Sequence, residues 1–400
     1  MRPLESVLTG LQNTSPMRRR FLGHLLGLLL MLPGRATFRN LSRYSPYHEK
    51  TFSRWFAKDF DWVSVNRAAI MQGVPAEHEH VLAFDPSFVP KSGKCTYGLD
   101  RFWNGTHSRA EKGLEIGVLA WVDVTANTAY ALSVAQTPLA PPADPEHSRI
   151  DAYVAHLTRV VTAHSWQSLP YLVVDGYFGK KKFVDGVCAL NFHVVGKLRL
   201  DANLRYLYTG PRRSGRGRPK LYDGKVDLHD LARWERIATQ DEHTVLYHAV
   251  VHHVQLHRSL HIVVAVDLRT QRQAVLFSTD TALPALTLYR YYKARFQIEF
   301  LFRDAKQYTG LTDCQARSQA KLHCHFNASL TAVSCAKLAA QSQSCHQSVP
   351  FSMASVKRCA FNQHLLERII AHLAEGGSLD KSSLMYETLC NYGAITEFAA

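Results

Sequence analysis

The apolar positions follow different periods along the chain. Residues 21–32 form a nearly unbroken apolar run that ends at Pro33-Gly34, as a buried helix would. A second break at Ser45-Pro46 marks off two shorter helices, over 37–44 with Thr37 as its cap and over 49–60 with Phe52, Trp55 and Phe56 inward. From about residue 78 the period shortens to that of strands. Residues 80–84 read as a buried strand, 114–124 and 128–135 as an antiparallel pair turning near Ala126-Asn127, and 171–174 and 193–200 as two more. Between them, 147–166 has the pattern of an amphipathic helix, and a second helix opens at Lys180-Lys181-Lys182. Strands follow over 244–251, 261–267 and 274–278. Residues 289–306, without Gly or Pro, read as one helix, and 315–341 and 352–375 as two more.

This order divides the chain into a helical region over 1–75, an α/β core in two pieces over 78–200 and 283–340, a β-rich insertion over 201–282 and a helical C-terminal region over 341–400. Helix, turn, helix near the start suits a helix-turn-helix DNA reader.

Charge narrows the partners. The 400 residues carry a net charge of +14 with 46% hydrophobic content, which excludes a disordered chain and points to a polyanion. From Met17 to Arg54 eight Lys or Arg face one acid, Glu49. Arg18 to Arg20 before the apolar run imitates a signal peptide, so a basic secreted or membrane-surface protein stands as a competing class. The run is too short to span a bilayer and His24 interrupts it, so the expectation is a cytoplasmic protein with no membrane partner. The eight cysteines form no CxxC pair and read as reduced thiols; Cys314, Cys324, Cys335 and Cys345 recur as a packing stripe. His253, His257 and His261 have helical metal spacing in β-like surroundings, which disfavours zinc there.

On a wheel of about 100° per residue, Tyr292, Arg295, Glu299 and Lys306 fall within roughly 60° of one another, flanked by Phe296, Phe300 and Phe302. Charges on such a face must be paired or must hold a ligand. One explanation is an internal ion pair, Arg295 to Glu299 at i,i+4. The spacing Tyr292-x2-Arg295-x3-Glu299-x6-Lys306 also resembles the Y-R-E-K signature of insertion-sequence DDE transposases of the cut-and-paste kind. Upstream, two strands end in aspartates: Asp85, before Pro86-Ser87 and 88–94, and Asp175, in Asp175-Gly176-Tyr177-Phe178. Both contexts look like that family's first and second catalytic regions, although each alone also reads as a turn-forming Asp. Strand-Asp, hairpin, helix, strand-Asp, helix, strand is the ribonuclease-H-like order, an α/β fold with a mixed sheet and helices on both faces.

The resemblance implies the following. Asp85, Asp175 and Glu299 bind two Mg²⁺ ions, with Mn²⁺ a substitute, and carry phosphodiester hydrolysis and strand transfer. Tyr292, Arg295 and Lys306 hold phosphates of the transposon end. Independently of the resemblance, Lys180 and Lys181 read as phosphate clamps and Arg216 and Arg218, in an AT-hook-like Arg-Gly-Arg-Pro-Lys segment, as DNA backbone contacts, against the alternative of solvated loops. The substrate is double-stranded DNA, terminal inverted repeats and target, bound by a homodimer in a bacterial, nucleoid-associated setting. A DNA-binding protein derived from a transposase and no longer catalytic is the other reading.

Overall fold

The computed structural model describes residues 15–137, 148–164, 166, 168–211, 219–239, 242–343, 351–377 and 380–393. Among the described residues four helices come first: α1 (Pro16–Met31), α2 (Phe38–Arg43), α3 (Glu49–Phe56) and α4 (Trp62–Gly73). The Ser15, Thr37 and Asp61 side chains accept hydrogen bonds from the first turns of α1, α2 and α4. Helix α4 was not among the expected elements; its mixed polar pattern hid a buried stripe of Val65, Asn66, Ala69 and Ile70.

The strands are β1 (His80–Pro90), β2 (Asp100–Asn104), β3 (Arg109–Asp123), β4 (Thr128–Gln136), β5 (Tyr171–Val173), β6 (His193–Leu198), β7 (Leu204–Leu207), β8 (Tyr222–Lys225), β9 (Glu235–Ala238), β10 (Thr244–His253), β11 (Arg258–Asp267) and β12 (Gln273–Ser278). They form one mostly antiparallel twelve-stranded sheet in the order β2-β3-β1-β5-β6-β12-β11-β10-β7-β8, with β4 on β3 and β9 on β10. Among the described residues only the β1–β5 and β5–β6 pairings are parallel. The strands over 204–278 continue the same sheet, because β12 pairs with β6 through Val275↔Leu198 to Ser278↔Val195.

Strand β1 does not end before Asp85, as the Asp-Pro pair suggested. It runs on to Pro90, paired with β3 through Pro90↔Gly113. Pro86 is tolerated because β5 flanks β1 only at Leu82 and Ala83, so the far half of β1 has one open side.

Helices cover both faces. α5 (Arg149–Ala163) and α6 (Lys181–Ala189) pack with Leu82, Phe84 and Leu172, while α7 (Ala285–Ala294), α8 (Gln297–Tyr308), α9 (Gln319–Gln343) and α1 pack with Val81, Ala83 and Val173. α10 (Met353–Ala374) and α11 (Leu384–Cys390) are the last helices among the described residues. Among the described residues no helix is long and apolar enough to cross a membrane.

Helix α9 explains its own low amphipathicity. It covers the open edge of β4, and its polar side chains replace a neighbouring strand. Asn327 binds the backbone N–H and C=O of Val134 at 3.1 and 3.0 Å, Ser334 accepts from Ala131 N at 2.8 Å, and Lys337 donates to Ala129 O at 3.0 Å. The edge is thereby satisfied without a further strand. Cys314 and Cys324 are buried in this packing and Cys335 is half-buried; Cys345 lies outside the described residues.

The expected single helix over 289–306 is two. α7 stops at Ala294 and α8 begins at Gln297. The joint is tightened by i→i+3 bonds from Phe296 N to Lys293 O, Ile298 N to Arg295 O and Glu299 N to Phe296 O, at 3.2, 3.0 and 3.0 Å. Phe296 is thereby turned outward, 48% exposed and edge-on to Phe300 at 5.2 Å, instead of walling the polar stripe. Gly310, at φ +71, ends α8 where a Cβ would come within 2.5 Å of Ala36 Cβ.

Candidate active site

Parity along β1 decides what faces what. Val81 and Ala83 point to the side covered by α8 and α9, so Asp85 and Ser87, in step with them, point there too. Strand β5 pairs with β1 at Ala83↔Val173, and Asp175 follows Val173 at the same offset as Asp85 follows Ala83. Asp175 then caps the 3₁₀ turn Gly176–Phe178, its Oδ1 accepting from Tyr177 N at 2.9 Å. Helix α8 lays its first turn, with Glu299, over this end of the two strands.

Arg295, at the joint of α7 and α8, stands between two of these carboxylates, Asp85 and Glu299. Its Nη1 lies 3.9 Å from Asp85 Oδ2, and its Nη2 donates to Glu299 Oε1 at 3.3 Å. Its own Nε is buried with no hydrogen-bond partner, and the guanidinium sits 5.7 Å from the Tyr292 ring. Lys306, two turns further along α8, donates to Ser87 Oγ at 2.9 Å. Tyr292, Arg295, Glu299 and Lys306 are therefore gathered with Asp85 and Asp175 at one place.

The charged groups of the cluster act on one another. Burial pushes the Asp85 carboxyl up to about 7; Arg295 opposes that shift, and the charges of Asp175 and Glu299 add to it. Burial lowers the Lys306 ammonium, with Asp85 opposing, and raises the Tyr292 phenol. The three carboxylates do not all close to within 4.8 Å of one another, and the Arg295 guanidinium stands between Asp85 and Glu299. Their donor set is all oxygen and suits a hard divalent ion.

The remaining basic residues are dispersed. Lys180 caps α6 and sits 3.6 Å over the Tyr177 ring, beside the Asp175 turn. Lys181 pairs with Asp185 on the same helix, and Lys182 with Asp151 at 2.6 Å. Arg216 and Arg218 lie outside the described residues. His253, His257 and His261 span the β10–β11 turn, and His261 is committed to Leu283 O at 2.8 Å and His248 at 3.1 Å.

Three features were missed from sequence. Ser87 shares parity with Asp85, a signal that could have found it. Glu115, buried on β3 facing α5, accepts from Tyr153 OH at 2.5 Å and Thr137 Oγ1 at 2.8 Å, and its charge also acts on Asp85. A groove lined by Arg39, Lys50, Arg317 and Lys321 joins the N-terminal helices to the start of α9; its two halves are too distant in sequence for any local pattern to pair them.

The sequence profile of the DDE superfamily endonucleases matches residues 7–261, and the chain belongs to that family. Asp85 and Asp175 lie inside the matched span and Glu299 beyond it. Among solved structures, the chain is similar to the piggyBac transposase in its synaptic complex with hairpin DNA, at 12% identity and a TM-score of 0.44, over 100% of this chain and 83% of that one. No curated protein matches.

Proposed function

We propose that the protein is a DNA transposase of the cut-and-paste kind, which cleaves the ends of a mobile element and joins them to target DNA. The observation that carries this reading is that Asp85 of β1 and Glu299 of α8 face one guanidinium, with Asp175, just beyond β5, near enough for its charge to act on Asp85. The sheet order supports a ribonuclease-H-like core: β4-β3-β1 antiparallel, then β1-β5-β6 parallel, with helices on both faces. The Y-R-E-K spacing supports an insertion-sequence type.

In this reading Asp85, Asp175 and Glu299 hold two Mg²⁺ ions, replaceable by Mn²⁺. Such ions supply an activated oxygen nucleophile and stabilise the leaving oxygen. The chain's own residues position the DNA. Arg295 grips a phosphate by its planar fork, Lys306 by point charge from the Ser87 side, and Tyr292 borders the backbone. Lys180 lies where it can neutralise a phosphate near Asp175. The partners are double-stranded inverted repeats and target DNA, bound by a homodimer, in a bacterial nucleoid-associated setting. The presence of all three carboxylates disfavours a DNA binder that has lost catalysis.

The test is strand cleavage of a labelled element end with Mg²⁺. Asp85→Ala, Asp175→Ala and Glu299→Ala each abolish cleavage while DNA binding by gel shift persists. Wild-type cleavage by any one of them removes that residue from the ligand set.

A further inference from the structure

A second cluster lies at the opposite end of β1 from Asp85. His80 is paired across the ladder with Asp123 of β3, so their side chains share one face, and His78 precedes His80 by the two residues that keep parity. Ligand atoms of His78, His80 and Asp123 all lie within 4.8 Å of one another; among the described residues no other three His, Cys, Asp or Glu side chains come so close. His80 is five residues from Asp85, about 16 Å along a strand, and on the other face of the sheet. The cluster is therefore separate from the candidate active site.

Its geometry is specific. Asp123 is fully buried, and its Oδ1 is held by Ala126 N at 2.8 Å. Its Oδ2 is 2.7 Å from His78 Nδ1 and 4.0 Å from His80 Nε2. That His80 nitrogen is buried and has no hydrogen-bond partner, although the ring is fixed edge-on to Trp121 with centroids 5.5 Å apart. A buried imidazole nitrogen aimed at a carboxylate but too far to bond it lacks a partner between them. Metal–ligand bonds of about 2.0–2.1 Å in a tetrahedron set neighbouring donors roughly 3.3 Å apart, between the two separations seen here.

We propose that His78 Nδ1, His80 Nε2 and the Asp123 carboxylate form a binding site for a divalent transition-metal ion of the zinc type, with a water as fourth ligand. Two imidazoles and one carboxylate select zinc-like ions over Mg²⁺, which prefers oxygen alone. Binding needs His78 in the tautomer with its proton on Nε2, which frees Nδ1 to ligate; no net proton is released from a neutral ring. Burial lowers the His80 pKa and so keeps that ring in the neutral, ligating form. The ion would tie the first residues of β1 to the last of β3. Between the two ligands, Glu79 faces the other way and binds Arg290 and, at 2.8 Å, the Tyr291 hydroxyl of α7. The site would therefore brace the segment on which the α7–α8 arm leans.

The full-length protein, stripped with a chelator, is titrated with Zn²⁺ by calorimetry, and Co²⁺ is added separately to read the visible absorption of a four-coordinate ion. The expected result is one equivalent of Zn²⁺ bound, a rise in Tm, and a Co²⁺ spectrum of tetrahedral type. His80→Gln, and the more exposed His78→Gln should the first fail to fold, each weaken Zn²⁺ binding by at least about tenfold, the loss known for disturbing even outer partners of a metal ligand. The Asp85→Asn/Glu299→Gln double variant still binds. Zn²⁺ affinity unchanged in both histidine variants, or lost only in the carboxylate variant, overturns the proposal.

Discussion

Lys306 donates a 2.9 Å hydrogen bond to the hydroxyl of Ser87, fastening α8 to β1 just beyond Asp85. The ammonium is held beside the carboxylates without being consumed by one, since its bonded partner is neutral. Lys306→Ala is expected to lower Mg²⁺-dependent cleavage by about tenfold or more, the equivalent of one charge-assisted contact of roughly 1.4 kcal/mol or above. Its Tm should stay close to wild type and Ser87→Ala should lose less activity. Equal losses in activity and Tm would make Lys306 a structural tie.

Arg295 faces two of the carboxylates, Asp85 at 3.9 Å and Glu299 at 3.3 Å. With Glu299 43% exposed that pair is worth little, whereas Asp85 and Arg295 are both largely buried. Arg295→Ala should destabilise the metal-free protein by about 1–3 kcal/mol, between the values for exposed and buried pairs. Mg²⁺ should narrow that gap by supplying the missing positive charge. A thermal melt with and without Mg²⁺ checks it. A loss that Mg²⁺ leaves untouched would mean the ion does not bind at these carboxylates.

The raised Asp85 carboxyl makes stability depend on pH. Its folded pKa of about 7 exceeds its ordinary value of 3.8, so between these the native state holds a proton that the unfolded chain has lost. The resulting stabilisation is full below 3.8 and disappears as pH rises through about 7. In the absence of divalent ions, the Tm of wild type should therefore fall relative to Asp85→Asn over this window, whatever other groups do in both. Parallel curves would show that Asp85 titrates normally. Mg²⁺, which needs the ionised carboxylate, should flatten the difference.

The groove of Arg39, Lys50, Arg317 and Lys321 should carry DNA phosphates. In the full-length chain, Lys50→Ala and Lys321→Ala are each expected to weaken binding to all sequences alike. Each should reduce the slope of log affinity against log salt by about 0.9. Fluorescence anisotropy at several salt concentrations reads this directly, and unchanged slopes would place the DNA elsewhere.

The linear order of residues carries the local chemistry. Apolar period located most strands to within a few residues, as for β10, foreseen over 244–251 and found as Thr244–His253. The Y-R-E-K spacing assumed one helical face over 289–306, where i, i+3 and i+4 positions fall together, but the structure puts Tyr292 on α7 and Glu299 and Lys306 on α8. What period cannot express is a partner. Strand β1 passes through Asp85-Pro86 because β3 pairs with it to the end, and the 289–306 helix divides where a tightened turn aims Phe296 outward. Helix α9 looked like a small-residue packing stripe because its buried polar groups are matched to the edge of β4, nearly two hundred residues away. Local sequence thus nominated the groups that could do chemistry, but it ended β1 at Asp85 and joined α7 to α8. Pairing register and the packing of distant faces decided which of them meet: Asp85 with Arg295, Ser87 with Lys306, His80 with Asp123. These contacts depend on strand order and on side-chain burial across the whole core, and no local window contains either.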